Sequence, residues 1–318
     1  MIPSKKTKVI LKFPSFLGDQ VVFTGALRAL HKSQPERFIT GINIDRDIDL
    51  LWNNPYISKV VSNDPSVKVF TKSIGGNFRN YKTSGKHCIE VFVEKLAKML
   101  DVQIKIDEMR GDIHLSDEEQ SRPPSGLEGR RYWIIVAGCK TGVPTKSWST
   151  VNYQAVVDAL AGKIHFVQCG SRQAGWHPPL RDVTNLVAKT SVRDLIRTIY
   201  HADGVLCPIT SLMHLAAAIP VKSTYLNPRP CVVLAGGREP ITYVTYPGHI
   251  VLATIGKLPC SLKPCGHSKF APKGGCKRPI TMGSQKIPEC MKLIQPSQVV
   301  TAILRASGDD GVHPVSSL

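Results

Sequence analysis

The chain has 318 residues, 42% hydrophobic and 20% charged, the proportions of an ordinary globular protein with room for two medium domains. No run approaches the roughly 20 apolar residues of a membrane span, and the start MIPSKKTKVILKF lacks the long apolar stretch of a secretory signal, so a cytoplasmic protein is expected. The net charge of +17 is uneven: residues 1–130 carry 20 Lys/Arg against 16 Asp/Glu, and residues 131–318 carry 21 against 8, so the C-terminal half is expected to meet an anion.

In chain order, the apolar run at 8–13 predicts a strand. Residues 20–33 predict a helix, with Val21, Val22, Ala26, Leu27 and Leu30 at helical spacing. RFITGINI (37–44) reads as a second strand, and 57–62 and 67–70 as short ones. The acids of DRDID (45–49) suit a helix start. Residues 87–100 predict a helix with Ile89, Phe92, Val93 and Leu96 on one face. SRPPSGLEG (121–129) is a linker by composition. The alternation then restarts: strand 132–138, helix 150–161, strand 164–170, helix 191–202, strand 204–208, helix 211–218, strand 221–226 and a last helix at 297–305. That last helix is expected to pack back towards the first domain, and the polar tail from Ser307 to be disordered.

Two such blocks predict an α/β protein with two doubly wound, Rossmann-like domains, residues 1–125 and 126–256. A Cys-rich segment (257–292), a C-terminal helix (293–306) and the tail (307–318) complete the division. Ligands of such folds bind beyond the carboxyl ends of the strands, so a cleft between the domains is the expected site.

The nine cysteines form two groups. Cys88, Cys139, Cys169, Cys207 and Cys231 stand in apolar contexts and read as reduced, buried, small hydrophobes. Cys260, Cys265, Cys276 and Cys290 cluster with spacings of x4, x10 and x13 among Pro259, Pro264, Gly266, Gly274 and Gly275. Four thiolates suffice for one tetrahedral zinc or a mononuclear iron, with His267 as a substitute ligand. A segment this poor in apolar residues would need the metal to fold. It is also basic, with eight Lys/Arg over 257–292 against one acid, Glu289.

Asp19 stands where the first strand hands over to the first helix. A helix cap accounts for it, and so does a functional carboxylate on the rim of the cleft. Three motifs bear on the choice. FLGDQVVFTGALRAL (16–30) resembles the N-terminal signature of the bacterial ADP-heptose heptosyltransferases, glycosyltransferase family 9. PITSLMHLAAA (208–218) is similar to the family's Asp-Thr-Gly-x-x-His-Leu-x-Ala-Ala segment, and KSW (146–148) to its Lys-x-Trp phosphate-binding stretch. The resemblance covers about residues 8–240.

It implies a GT-B fold and inverting transfer of a sugar, heptose first, from an ADP-sugar. Asp19 falls on the family's catalytic base, flanked by Phe16, Leu17 and Gly18 on the acceptor side. Lys140, Lys146, Trp148, Thr210, Ser211, Met213 and His214 fall on the donor side. The chemistry agrees: a base must take the acceptor hydroxyl proton, and cations and helix N–H groups must neutralise the leaving diphosphate, with no divalent cation required. Ile209 and Ser211 replace the family's Asp and Gly. Arg238 and Glu239, in GGREP (236–240), either bind donor hydroxyls or phosphate or form an ion pair on a turn. The Asp-x-Asp patterns at 45–49 resemble the manganese motif of the other major glycosyltransferase fold and are expected to be structural here. The four cysteines are similar to the iron finger of autotransporter heptosyltransferases.

The expected acceptor is anionic, a phosphorylated glycan or a protein. The alternatives are DNA with hydroxylated bases, whose binding would weaken steeply with salt, and an inactive metal-stabilised nucleic-acid-binding protein, kept open by Ile209.

Overall fold

The structure, a computed structural model, describes residues 6–43, 49–60, 64–74, 85–171, 177–222, 224 and 228–308. The first domain is built on a parallel sheet of β1 (Thr7–Leu11), β2 (Phe38–Ile42) and β3 (Lys68–Phe70), in the order β2-β1-β3. Helix α1 (Leu17–Ser33) follows β1, and α2 (Cys88–Leu100) packs beside it. Of the strand expected over 57–62, residues 57–60 form none. Ser58 donates one bond to Thr40 and the Val60 side chain packs against Gly41, which leaves no ladder. Residues 61–62 lie outside the described residues. So do residues 45–48 of the acidic stretch, while Asp49 opens a 3₁₀ turn, Asp49–Leu51.

After the short helix α3 (Asp117–Ser121) the chain enters the second domain. Its six parallel strands are β4 (Trp133–Ile135), β5 (Phe166–Gln168), β6 (Thr184–Asn185), β7 (Gly204–Pro208), β8 (Cys231–Gly236) and β9 (His249–Ala253). They run in the order β6-β5-β4-β7-β8-β9. The chain steps outwards in opposite directions from β4 and β7, the topological switch point at which ligands of this fold bind. Of the strand expected at 221–226, residues 221, 222 and 224 form none, and 223, 225 and 226 lie outside the described residues. The fourth main strand is instead β8, buried throughout. It begins only after Pro228 and Pro230, whose rings leave no N–H for a ladder.

The second domain's helices are α4 (Thr150–Ala159), α5 (Val192–Tyr200), α6 (Ser211–Ala218), α7 (Ile241–Val244), α8 (Glu289–Lys292) and α9 (Pro296–Ser307). The last helix corrects an expectation. It packs on α4 and β8 of its own domain, because Val299, Ala302 and Ile303 join Trp148, Tyr153 and Val156 in one buried cluster. Residues 309–318 of the expected tail lie outside the described residues.

The other face of the large sheet faces the first domain. One buried apolar cluster runs without interruption from Val9 and Leu11 through Val21, Phe23 and Leu27 of α1 to Leu212, Met213 and Leu215 of α6 and on to Val205 and Val233. Helix α1 is therefore buried from Val21 to Leu30, including Arg28, which is 3% exposed. The Arg28 guanidinium donates to the carbonyls of Glu108, Arg110 and Gly111 and meets the Asp107 and Asp112 carboxylates at 3.2 and 3.3 Å. It thereby holds the segment 107–112 along α1. A side chain at Gly25 would meet the Arg110 carbonyl oxygen at 2.4 Å, so the close approach of segment and helix needs glycine there.

The Cys-rich segment forms a knob containing a 3₁₀ turn (Pro259–Ser261) and an antiparallel hairpin of β10 (Pro279–Met282) and β11 (Gln285–Pro288). It leans on residues 145–150. The Thr145 hydroxyl donates to the His267 carbonyl at 2.7 Å, and the Gln285 side chain accepts from the Thr150 amide at 2.6 Å.

Candidate active site

A cavity of about 530 Å³ opens where the first turn of α1 meets the carboxyl ends of β4, β5 and β7. Phe16, Leu17, Gly18 and Asp19 line it from the first domain. Asp19 is the third residue of α1 rather than its cap; the capping position is Phe16, whose side chain takes none of the first-turn N–H groups. A carboxylate here is favoured by the positive end of the helix. Its charge reaches Lys146, across the cavity, and Cys88.

Gly18 brings the two walls together. A Cβ on it would lie 3.2 Å from His214 Cδ2 and 3.7 Å from Ser211 Cα. The N-terminal ends of α1 and α6 thus meet almost backbone to backbone, which accounts for a glycine directly before Asp19.

Lys140, Lys146, Ile209, Thr210, Ser211 and His214 line the cavity from the second domain. The Lys146 ammonium donates to the Ile209 carbonyl at 2.8 Å and lies 3.1 Å from Glu239, which is 3% exposed and in contact with Arg238. Burial and the Arg238 guanidinium push Lys146 down to about 7, against the opposing pull of Cys139 and Asp19. Lys140 stands 4.5 Å from the centre of the Phe16 ring, a cation–π contact between the walls; Phe16 is otherwise 61% exposed.

At the N-terminus of α6, Thr210 is extended, its side chain makes no capping bond, and its hydroxyl is buried without a hydrogen-bond partner. The first N–H groups of α6 are therefore not taken by a cap, an arrangement suited to an anion. The His214 Nδ1 lies 2.6 Å from the Tyr246 hydroxyl, and burial, with Lys146 nearby, pushes this imidazole down to about 3. It is neutral at physiological pH.

Four expected site residues stand elsewhere. Trp148, 1% exposed, packs edge-on against Tyr153 and donates its indole N–H to the Ile294 carbonyl at 3.0 Å. The 3₁₀ turn Pro144–Lys146 ends at an extended Ser147, which sends Trp148 into the core while Lys146 faces the cavity. Met213 is buried on the core side of α6. Arg238 donates to the His267 carbonyl at 2.9 Å and to the Ser268 hydroxyl at 2.8 Å. Of the two readings left open for Arg238 and Glu239, the structure has the ion pair, set behind Lys146.

The cavity also uses residues that the motifs did not mark: Gly170 and Ser171 after β5, His177, and Thr190, Ser191 and Val192 at the start of α5. Cys139, expected as a core hydrophobe, lines the cavity and lies 3.0 Å from the Ser147 hydroxyl. Cys139 is nonetheless buried, as are Cys88, Cys169, Cys207 and Cys231, all as expected.

The four clustered cysteines share the knob: Cys276 feels the negative charge that Cys265 and Cys260 would carry as thiolates, and Cys290 that of Cys265, Cys276 and Cys260. The donor set is that of a tetrahedral sulfur site. Among the described residues, however, no three or more potential ligands stand close enough together to hold an ion.

Residues 71–225, just under half of the chain, match Glycosyltransferase family 9 (heptosyltransferase). No curated protein matches. Solved structures are similar over nearly the whole length. A family 9 glycosyltransferase from Veillonella parvula is 16% identical, with a TM-score of 0.62 over 97% of this chain and 99% of that one. The ADP-heptose lps heptosyltransferase II of E. coli is 16% identical, with a TM-score of 0.57 over 96% and 100%. The iron-containing dodecameric glycosyltransferase TibC from enterotoxigenic E. coli is 17% identical, with a TM-score of 0.62 over 95% and 77%. By the family match and its fold, this chain is a glycosyltransferase. The fold is the α/β, parallel-sheet architecture of the GT-B heptosyltransferases. No helix among the described residues is long and apolar enough to cross a membrane.

Proposed function

We propose that the chain transfers heptose from ADP-heptose to an anionic acceptor, a phosphorylated glycan or a protein, with inversion at the anomeric carbon. The observation that carries this reading is the cavity at the switch point, with Asp19 on one wall and Lys146, Lys140 and the uncapped N-terminus of α6 on the other. Related folds support the donor: TibC has been solved with ADP-D-beta-D-heptose, and a second E. coli heptosyltransferase, WaaC, with ADP-2-deoxy-2-fluoro heptose.

In this reading Asp19 accepts the proton of the acceptor hydroxyl as that oxygen attacks the anomeric carbon. The C–O bond to the diphosphate breaks on the opposite face, and charge develops on the leaving phosphate. Lys146, Lys140 and the N–H groups of Ser211 and Leu212 stand ready to meet it. Ile209 presents an apolar side chain where the family motif has Asp. The donor is held at that point by main chain and by Lys146, whose ammonium the Ile209 carbonyl already orients.

We further place a structural zinc or iron ion on Cys260, Cys265, Cys276 and Cys290. These residues would draw the knob closed around the ion, and the chemistry in the cleft does not pass through it. The knob's lysines and arginines offer the acceptor a cationic surface beside the cleft.

The test is a thermal-shift screen followed by product analysis. ADP and ADP-heptose should raise the melting temperature selectively, and ADP should be released in the presence of acceptor. No shift with any nucleotide, together with salt-sensitive DNA binding, would replace this reading with the inactive binder. Metal analysis of the purified protein should find about one ion per chain, lost in Cys276→Ser; an unchanged content in that variant would remove the four-sulfur site.

A further inference from the structure

Tyr246 lies between the two domains, 2% exposed, with its hydroxyl 2.6 Å from His214 Nδ1 on one side and 3.3 Å from the Cys88 sulfur on the other. Cys88 is the first residue of α2, in the first domain; Tyr246 and His214 belong to the second. The tyrosine ring is held edge-on against His87 at 4.7 Å and His249 at 5.2 Å. None of this is accounted for by the donor-site motifs. Resting on the reading of the cavity as a nucleotide site, we propose that Tyr246 is a positioning residue: its hydroxyl donates to His214 Nδ1 and so fixes the tautomer that offers Nε2–H to the diphosphate, with the Cys88 thiol orienting that hydroxyl from the opposite domain.

Two directions run through this chain of hydrogen bonds from end to end. In one, the thiol donates to the phenol oxygen, the phenol donates to Nδ1, and the imidazole turns an N–H towards the cavity. In the other, Nδ1–H donates to the phenol and the phenol donates to sulfur, so that Nε2 turns a lone pair towards the cavity. A phosphate oxygen is attracted by the first and repelled by the second. Charge states do not blur the choice. Burial pushes His214 down to about 3, Cys88 up to about 12, and Tyr246 well above the ordinary tyrosine range. At neutral pH each group therefore keeps its proton, and only the order of donation is free. A neutral imidazole locked as a donor recognises an anion without the cost of charging a buried ring. The Tyr246 ring, edge-on to the His214 ring at 5.6 Å, backs the imidazole on the side away from the cavity.

The experiment uses the full-length protein with ¹⁵N-labelled histidine. Nitrogen shifts of His214 in the free protein should report the Nε2–H tautomer. Tyr246→Phe should give a mixture of tautomers and weaken ADP binding about tenfold, the worth of one oriented hydrogen bond. A residue that merely filled space would lower the melting temperature without moving the tautomer. An Nδ1–H tautomer in the unaltered protein overturns the proposal, and so does a Tyr246→Phe variant that binds ADP as the unaltered protein does. Should Tyr246→Phe not fold, Cys88→Ser and Cys88→Ala decide. Serine keeps a donor and should keep the tautomer, alanine should not, and identical spectra for the two overturn the proposal. Absence of ADP binding to the unaltered protein together with an Nε2–H tautomer overturns the nucleotide reading and upholds the assignment of Tyr246.

Discussion

The two walls of the cavity are built in opposite ways. The first domain contributes four consecutive residues, 16–19, from the start of a single helix. The second contributes residues from the loops after β4, β5 and β7 and from the starts of α5 and α6. A wall made from one helix end places one functional group rigidly, because the whole helix stands behind it. A wall made from many strand ends surrounds a ligand, and no single residue carries it.

That contrast sets the expected effects. Asp19→Asn should have the largest, lowering kcat about 10²- to 10⁴-fold while ADP affinity stays unchanged; steady-state kinetics beside calorimetry will show whether turnover and donor binding separate in this way. Next comes Arg28→Met, which acts behind the same wall. It leaves three carbonyls without their donor, Asp107 with Lys32 alone and Asp112 with His114 alone, and should destabilise the fold by about 2–4 kcal/mol in urea unfolding.

On the distributed wall the losses should be graded. Lys146→Met should weaken ADP about 10- to 100-fold, the range for a hydrogen bond to a charged group, as measured by calorimetry. Lys146 binds phosphate as a cation, and its pKa in the free site is about 7. Below that pH the site is already charged, and above it a proton must be taken up on binding. ADP affinity should therefore fall as pH rises through and above 7. Buffers of different ionisation enthalpy should reveal the proton uptake, and Lys146→Met should abolish the slope. The smallest effect is expected from Trp148→Phe: about 1–2 kcal/mol of stability from the lost indole hydrogen bond and packing, with ADP affinity unchanged. A large change in affinity from that variant would return Trp148 to the donor site.

The same contrast explains what could be read beforehand. Residues 16–19 are adjacent in the chain, so a local pattern exposes them. Lys146, Thr210 and His214 sit in short runs that carry family motifs. Gly170, Ser171, His177 and Thr190 become neighbours only through the order β6-β5-β4-β7-β8-β9, which no local pattern encodes. Trp148 and Met213 show the opposite error. Each stands one or two residues from a cavity residue, yet the end of a 3₁₀ turn or a single helical step of about 100° sends it into the core. The strand at 231–236 was missed for a third reason. Two apolar runs lie within a dozen residues of each other, and periodicity alone does not mark the start of the second, which comes only after Pro228 and Pro230.

The apolar cluster that passes unbroken from β1 through α1 and α6 to the large sheet has a consequence for how this enzyme melts and moves. Prising the halves apart like a book would bring that greasy seam into water, so the linker at 121–129 marks no boundary of cooperativity. The chain should unravel in one step, and neither half, expressed alone, should remain in solution as a compact body. Substrates must then enter through rearrangement at the rim of the cavity rather than by wholesale separation of the lobes.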